Sequence, residues 1–458
     1  MPSGAKNEST TSLNSPLAAS DKRSDEVSLK VLLASEEEND CFGTQRSVLK
    51  LQLVLFMAVI TSPINVGSVN TRFSWRHFDW FLFAIVVALS VWGCLTVASA
   101  NLPHNTGIAG SWWQMLQSNG NSVFSDALKQ TLWIVLGILA LLGLARSNYQ
   151  WLMHLQFWVY AGNLLLLLFV LVAPHSLAPT INGAKSWIRL GPLALQPGEL
   201  CKFAVLISMA AFLARRQDHI RKFRTITFSL LYLMPPLLLI LKQPDFGTML
   251  AVMSIWFGML FFGGAKITHL AGLLLVGLLL FGAAWKFDVL KVHQRERLAV
   301  FLDQNPSPEA MQAGGYQIKQ SQIAIGAGRI TGQGWGHGMQ NRSGYVPENT
   351  TDFIFTVTAE EFGFVGAGIL ILLYLLLLLR CAGVALTTDN YFGALLAGGF
   401  TALLAFHCIV NLGMTMRVMP ITGVPLPFFS YGGSSYLAFA ACMGLLQSVV
   451  LRRHRTEF

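Results

Sequence analysis

Charge is what this 458-residue sequence has least of. Asp, Glu, Lys and Arg make up 12% of it, about half the roughly 25% of an ordinary soluble domain. That shortage excludes the two or three soluble domains that length alone would suggest. The signatures of soluble enzymes are missing too: the chain has no Walker loop, no HExxH and no GxSxG. P-loop phosphate binding, zinc hydrolysis of the HExxH type and α/β-hydrolase chemistry therefore have no carrier here. The 6 cysteines, Cys41, Cys94, Cys201, Cys381, Cys408 and Cys442, are scattered without CxxC spacing. They read as packing residues rather than metal ligands or a disulfide framework.

What is present is apolar sequence. Hydrophobic residues are 53% of the chain and the mean hydropathy is +0.52. Divided by the roughly 20 residues that cross a bilayer, the sequence resolves into ten runs, at about 80–100, 126–145, 151–173, 199–214, 227–242, 247–263, 268–286, 354–379, 393–413 and 432–450. The fold class is an all-α polytopic membrane protein of about ten transmembrane helices. The fifth run carries Pro235 and Pro236 and reads as short and broken, its freed backbone groups needing partners from neighbours or water. Residues 1 to about 47 are polar and read as a disordered tail. Leu49–Ile60 is too short to span, and either an interfacial segment or a start at Met57 accounts for it; the long polar stretch before it does not fit a signal peptide. Residues 1–76 are thus a tail and 77–458 the transmembrane domain.

The net charge of +9 does not indicate nucleic acid, because the basic residues lie in short loops beside apolar runs. Arg215, Arg216, Arg221, Lys222 and Arg224 follow the fourth run, and Arg452, Arg453 and Arg455 follow the tenth. The positive-inside rule places both clusters, and both termini, in the cytoplasm. Residues 174–198, 287–353 and 414–431 then lie outside. The stretch 287–353, between the seventh and eighth runs, is the large extracytoplasmic loop. It is basic, with Lys291, Arg295, Arg297, Lys319, Arg329 and Arg342, and its interleaved Tyr316, Ile318, Ile323 and Ile325 argue for structure.

Polar residues at membrane depth are the candidates for chemistry. Asp352, in Pro347–Phe355, falls where the large loop meets the eighth run; it serves as a general base reachable from outside or as a helix cap shared with Thr351, with Glu360 and Glu361 paired inside the bundle. In Asn182–Lys202, Pro197 and Glu199 suit a helix's first turn. Lys202 either pairs with Glu199 at i,i+3 or meets a diphosphate. Lys242–Thr248, with Asp245, is a break lining a cavity or a plain turn. Gly423–Ser435, rich in Pro and Gly, reads as a rigid loop.

Together these motifs resemble the SEDS family (shape, elongation, division and sporulation), which contains RodA and FtsW. The matching stretches are NGAKSWIRLGPLALQPGELCK, QPDFGT, YQIKQSQIAIGAGRITGQGWGHGMQ, PENTTDFIFTVTAEEFG and ITGVPLPFFSYGGSS, from about residue 77 to the end. The segment AIGAGRITGQGWGHGMQ is more like RodA than FtsW. Gly198 stands for the usual Ser, Thr350 for the usual His, and Gln304 for the Pro of an LDP motif.

The resemblance implies a peptidoglycan glycosyltransferase of the bacterial plasma membrane. It would join lipid II to a growing glycan strand, with inversion, and work with a class B penicillin-binding protein in an elongation or division complex. It makes Asp352 the catalytic acid–base group. Lys202, Glu199, Arg295, Arg297, Lys185, Arg189, Asp245 and Gln320 become candidates for binding substrate or diphosphate. A divalent cation, Mg or Mn, is an alternative source of positive charge for the leaving group, and no organic cofactor is expected. A lipid II flippase and a non-catalytic scaffold are the rival readings: the first requires Asp352 to be reached from both faces, the second makes it dispensable.

Overall fold

The structure is a computed structural model and describes residues 75–102, 123–180, 185–190, 193–287, 300–301 and 314–453. Arg295, Arg297, Lys291 and Gln304, and the tail 1–74, lie outside the described residues.

The apolar runs become helices α1 (Trp80–Ala100), α2 (Val123–Arg146), α3 (Leu152–Val172), α4 (Pro197–Ala214), α5 (Phe223–Lys242), α6 (Phe246–Phe262) and α7 (Ile267–Lys286). After the large loop, which contributes α8 (Tyr316–Ala327) and the short α9 (Met339–Arg342), come α10 (Ile354–Thr387), α11 (Tyr391–Thr415) and α12 (Gly433–Arg453). Among the described residues, 9 helices are long and apolar enough to cross a membrane; α6, with 17 residues, is the shorter apolar helix beside them. The chain is an integral membrane protein. A two-stranded antiparallel hairpin, β1 (Ile188–Leu190) and β2 (Leu193–Leu195), is the one sheet among the described residues.

Polar side chains start the helices where the sequence supplies them. Asp79 accepts from Leu82 N at 3.0 Å and Asn390 from Gly393 N at 3.0 Å, each satisfying an amide with no partner inside its own helix.

Burial separates an inner set from an outer one. The hydrophobic windows of α12, α4 and α11 are 89%, 83% and 72% buried, whereas that of α7 is 6% buried, so α7 presents its leucines to lipid. The inner helices approach closely through small residues. A Cβ on Gly258 of α6 would stand 2.1 Å from Ala402 Cβ of α11, and one on Gly433 of α12 would stand 2.1 Å from the Trp133 ring.

The fifth span is not broken. Both Pro235 and Pro236 lie inside a continuous 20-residue helix. Pro236 cannot donate to the carbonyl of Tyr232, four residues back. That oxygen instead accepts from Tyr160 Oη of α3 at 2.7 Å, and the two rings stack at 4.4 Å. A neighbour answers the orphaned group, and the helix continues.

The break lies in the eighth span, at Gly363, where φ is 63° and ψ −160°. In an unbroken helix, Glu360 O and Glu361 O would accept from Phe364 N and Val365 N. Here Gln333 N and Gly334 N donate to those carbonyls at 3.0 and 2.9 Å, while Phe364 N and Val365 N donate to Arg329 O and Ile330 O at 2.9 and 3.1 Å. The Gly-rich stretch after α8 is thus stitched into the helix by its backbone. A Cβ on Gly363 would stand 2.3 Å from Gly332 N, so this contact requires glycine.

Candidate active site at one end of the bundle

The separated motifs meet where α4, α6, α10 and α12 begin and α11 ends. Pro197 opens α4 and Glu199 sits in its first turn. Glu199 and Lys202 form a buried ion pair at 2.7 Å, with 4% and 3% side-chain exposure. Lys202 Nζ also stands 3.1 Å from His407 Nε2 of α11, and His407 Nδ1 is 2.9 Å from Pro425 O. A carbonyl only accepts, so Nδ1 carries the proton and Nε2 accepts from the ammonium. Glu199 Oε2 is buried with no hydrogen-bond partner among the described residues.

Asp245 caps α6. It accepts from Thr248 N at 3.0 Å, Thr248 Oγ1 at 2.8 Å and Gln196 Nε2 at 3.1 Å, which favours the plain-turn reading of its motif. The QPDFGT stretch still belongs to the assembly through its backbone. A Cβ on Gly198 would lie 3.1 Å from Thr248 Cγ2, and one on Gly247 would lie 2.7 Å from Thr422 O. The α4 start, the α6 start and the loop before α12 are therefore packed on one another.

Asp352 stands half-exposed just before α10. The residue at the N-cap of α10 is Phe353, which makes no side-chain cap hydrogen bond of its own. Thr351 Oγ1 turns back to Glu348 O, 3.3 Å away. This segment is held through its backbone. Tyr431 N donates to Thr350 O at 2.9 Å, Ser430 Oγ to Thr351 O at 2.6 Å, and Asn411 Nδ2 to Asp352 O at 2.9 Å. Three consecutive carbonyls are clamped, two of them by the 424–431 loop. That loop is itself anchored, since Tyr374 Oη donates to Pro427 O at 2.6 Å. The Asp352 carboxylate abuts Gly423, whose Cβ position lies 3.4 Å from Oδ2. Gly423 has φ +67°, so the wall beside the carboxylate carries no side chain.

Glu360 and Glu361 bind the large loop. Glu360 accepts from Gln340 N at 2.7 Å, from Asn341 N at 3.2 Å and from the Asn341 side chain. Glu361 accepts from Gly336 N at 3.2 Å and from the Ser99 hydroxyl of α1. Carboxyl oxygens can accept from such clusters of amides and hydroxyls.

The remaining candidates are distributed. Lys185 Nζ donates to Leu171 O at 3.1 Å and Ala173 O at 2.5 Å, closing the C-terminal end of α3, where a cation is favoured. Arg189 is exposed on β1, its backbone N bonded to Leu177 O at 2.9 Å. Gln320 is half-buried on α8, whose neighbouring Ser321 bonds Thr356 Oγ1 at 2.6 Å and Thr415 O at 3.0 Å. His407 and Asn411 were not singled out from the sequence. Their signal was present: two polar residues four apart inside an apolar run share one helix face.

The architecture defines a class: a polytopic helical membrane protein with a carboxylate and a buried ammonium–carboxylate pair gathered at one end. The chain belongs to the FtsW/RodA/SpoVE cell cycle protein family, whose model matches residues 79–455. It is 36% identical over 286 residues to the Escherichia coli peptidoglycan glycosyltransferase MrdB, covering 62% of this chain and 76% of that one. It is 34% identical over 374 residues to a probable peptidoglycan glycosyltransferase FtsW of Haemophilus influenzae, covering 81% and 89%. Its fold is similar to a solved chain of a peptidoglycan synthase complex that coordinates polymerization and crosslinking. There the TM-score is 0.66 and the identity 33%, over 83% of this chain and 100% of that one.

Proposed function

We propose that this protein is a peptidoglycan glycosyltransferase that polymerises lipid II at the outer face of the plasma membrane, with Asp352 as its general base. The observation that carries this is the position of Asp352: a half-exposed carboxylate on a segment whose three carbonyls are clamped. Asp352 takes the proton from the sugar 4-hydroxyl of an acceptor lipid II. That oxygen attacks the anomeric carbon of the growing strand and inverts it, and undecaprenyl diphosphate leaves. General base catalysis is worth about 10²–10⁴-fold.

Charge developing on the diphosphate needs cations or helix N-termini nearby. The beginnings of α4, α6, α10 and α12 gather at this end, and Lys202 is the described ammonium beside them; Arg295 and Arg297 are further candidates by family resemblance. A magnesium or manganese ion would supply the same charge. Among the described residues no three His, Cys, Asp or Glu side chains group as a metal centre, so no step is assigned to one. With both termini cytoplasmic, as the basic loops favour, Asp352 opens outward, and a class B penicillin-binding protein receives the strand. The RodA-like Gly-rich loop favours service in elongation.

The test is polymerisation by the purified full-length chain, with products resolved by length. Wild type makes long strands from lipid II, and Asp352→Asn loses at least 100-fold in rate while remaining folded. An Asn variant that polymerises as wild type removes Asp352 from the mechanism.

A further inference from the structure

Asn411 is wholly buried in α11, and its one amide nitrogen donates twice, to Asp352 O at 2.9 Å and to Val424 O at 2.8 Å. Its Oδ1 is buried without a hydrogen-bond partner among the described residues. Native interiors seldom leave such an atom unanswered, and packing alone gives no reason to place an amide there.

We propose that Asn411 is a positioning residue for Asp352: it sets the carboxylate's place without itself touching substrate. The proposal rests on the reading of Asp352 as the base. The first reason is where the two bonds go. One holds the backbone of Asp352 itself, and the other holds Val424, next to the Gly423 position that the carboxylate abuts. A single side chain therefore fixes both the acid and the wall it faces.

The second reason is what the other clamps leave undone. Tyr431 and Ser430 hold Thr350 and Thr351, and Asn411 holds the carbonyl of the reacting residue. Of these three clamps, Asn411's is the one that reaches residue 352.

The third reason is its register with His407. The two lie one turn apart on the same face of α11 and hold adjacent carbonyls, His407 that of Pro425 and Asn411 that of Val424. His407 also accepts from Lys202. One helix face thus fixes the Asp352 backbone relative to the Lys202 ammonium. In a displacement at carbon, the base and the charge that steadies the leaving group must be placed independently of substrate motion. Misplacement by about 1 Å costs on the order of 10²-fold. The loss should fall on the chemical step rather than on lipid II affinity.

The experiment uses the full-length protein with lipid II, comparing wild type, Asn411→Leu, Asn411→Gln and Asp352→Asn. Asn411→Leu keeps the branched outline, with bulkier methyl groups, and removes the donor. It is expected to lower kcat at least tenfold with KM for lipid II within twofold. Asn411→Gln, which keeps an amide on a longer arm, is expected to recover at least threefold over the Leu variant. Should the Leu variant not fold, Asn411→Asp replaces it, with the same expected fall in kcat. A folded Leu or Asp variant with kcat within twofold of wild type overturns the proposal while leaving Asp352→Asn inactive. A loss confined to KM also overturns it. If Asp352→Asn itself retains wild-type kcat, the base assignment falls and the positioning role falls with it.

Discussion

Two spans of this protein interrupt their own helical hydrogen bonding, and they do so in opposite ways. In α5 the cause is local: Pro236 lacks the donor that Tyr232 O expects, and Tyr160 supplies a phenol from the next helix. The helix stays continuous. In α10 the cause is distant: Gly363 leaves helical geometry so that residues 329–334 can exchange backbone bonds with residues 360–365. Proline announces an interruption in the sequence, yet a single well-placed acceptor or donor can repair it. A glycine inside an apolar run announces nothing, yet it permits a break that a loop from elsewhere in the chain then occupies.

The comparison can be broken from either side. The largest effect is expected at Gly363. A side chain there enters a backbone region that is essentially glycine's alone and meets Gly332 N at 2.3 Å and Ile330 O at 2.6 Å. Gly363→Val should cost on the order of 3 kcal/mol or more, read as a large fall in the thermal midpoint and as new protease cleavage within 329–344. Unchanged cleavage would mean the loop is held by something other than this exchange.

Glu360→Gln is the next in size. It retains one acceptor oxygen but removes the charge from three donors, Gln340 N, Asn341 N and the Asn341 side chain. Hydrogen bonds to charged groups contribute about 1.5–3 kcal/mol, so a destabilisation of roughly 2 kcal/mol is expected by reversible denaturation. Amide exchange at 339–342 should quicken with it. An equal quickening over the whole protein would deny Glu360 its local role.

The smallest effect is expected at α5. Tyr160→Phe removes the phenol from Tyr232 O and should cost about 1 kcal/mol. Adding Pro236→Ala returns the helical donor, so the double variant should recover most of that loss, the non-additivity expected of neighbours that share a partner. Strict additivity would show that the phenol does not compensate for the proline.

The same contrast explains what was legible beforehand. The ten helices were, because each is an apolar run of spanning length or nearly so. Asp352, Glu199 and Lys202 were, because charge at membrane depth is costly and therefore conspicuous. The Glu199–Lys202 pair formed as its i,i+3 spacing allows. The hairpin at 188–195 was not, since two three-residue strands leave no alternating pattern to count. Gly363 was not, because its reason lies in Gly332 rather than in its own neighbours. Lys185, a candidate ligand by family resemblance, places its ammonium on the carbonyls at the end of α3, a contact that its sequence neighbours do not announce. His407 and Asn411 were not legible as anchors, because the carbonyls they hold, those of Pro425 and Val424, belong to a loop outside their own helix.

The proposed function rests on one claim, that the side chain at position 352 faces an opening on the extracytoplasmic side of the membrane. The direct measurement replaces Asp352 with cysteine in a chain whose native cysteines are removed, and applies a membrane-impermeant thiol reagent to intact cells and to inverted vesicles. Labelling in intact cells, and its absence from sealed inverted vesicles, is the predicted result. Labelling only from the cytoplasmic face, or from neither face in folded protein, would contradict the account.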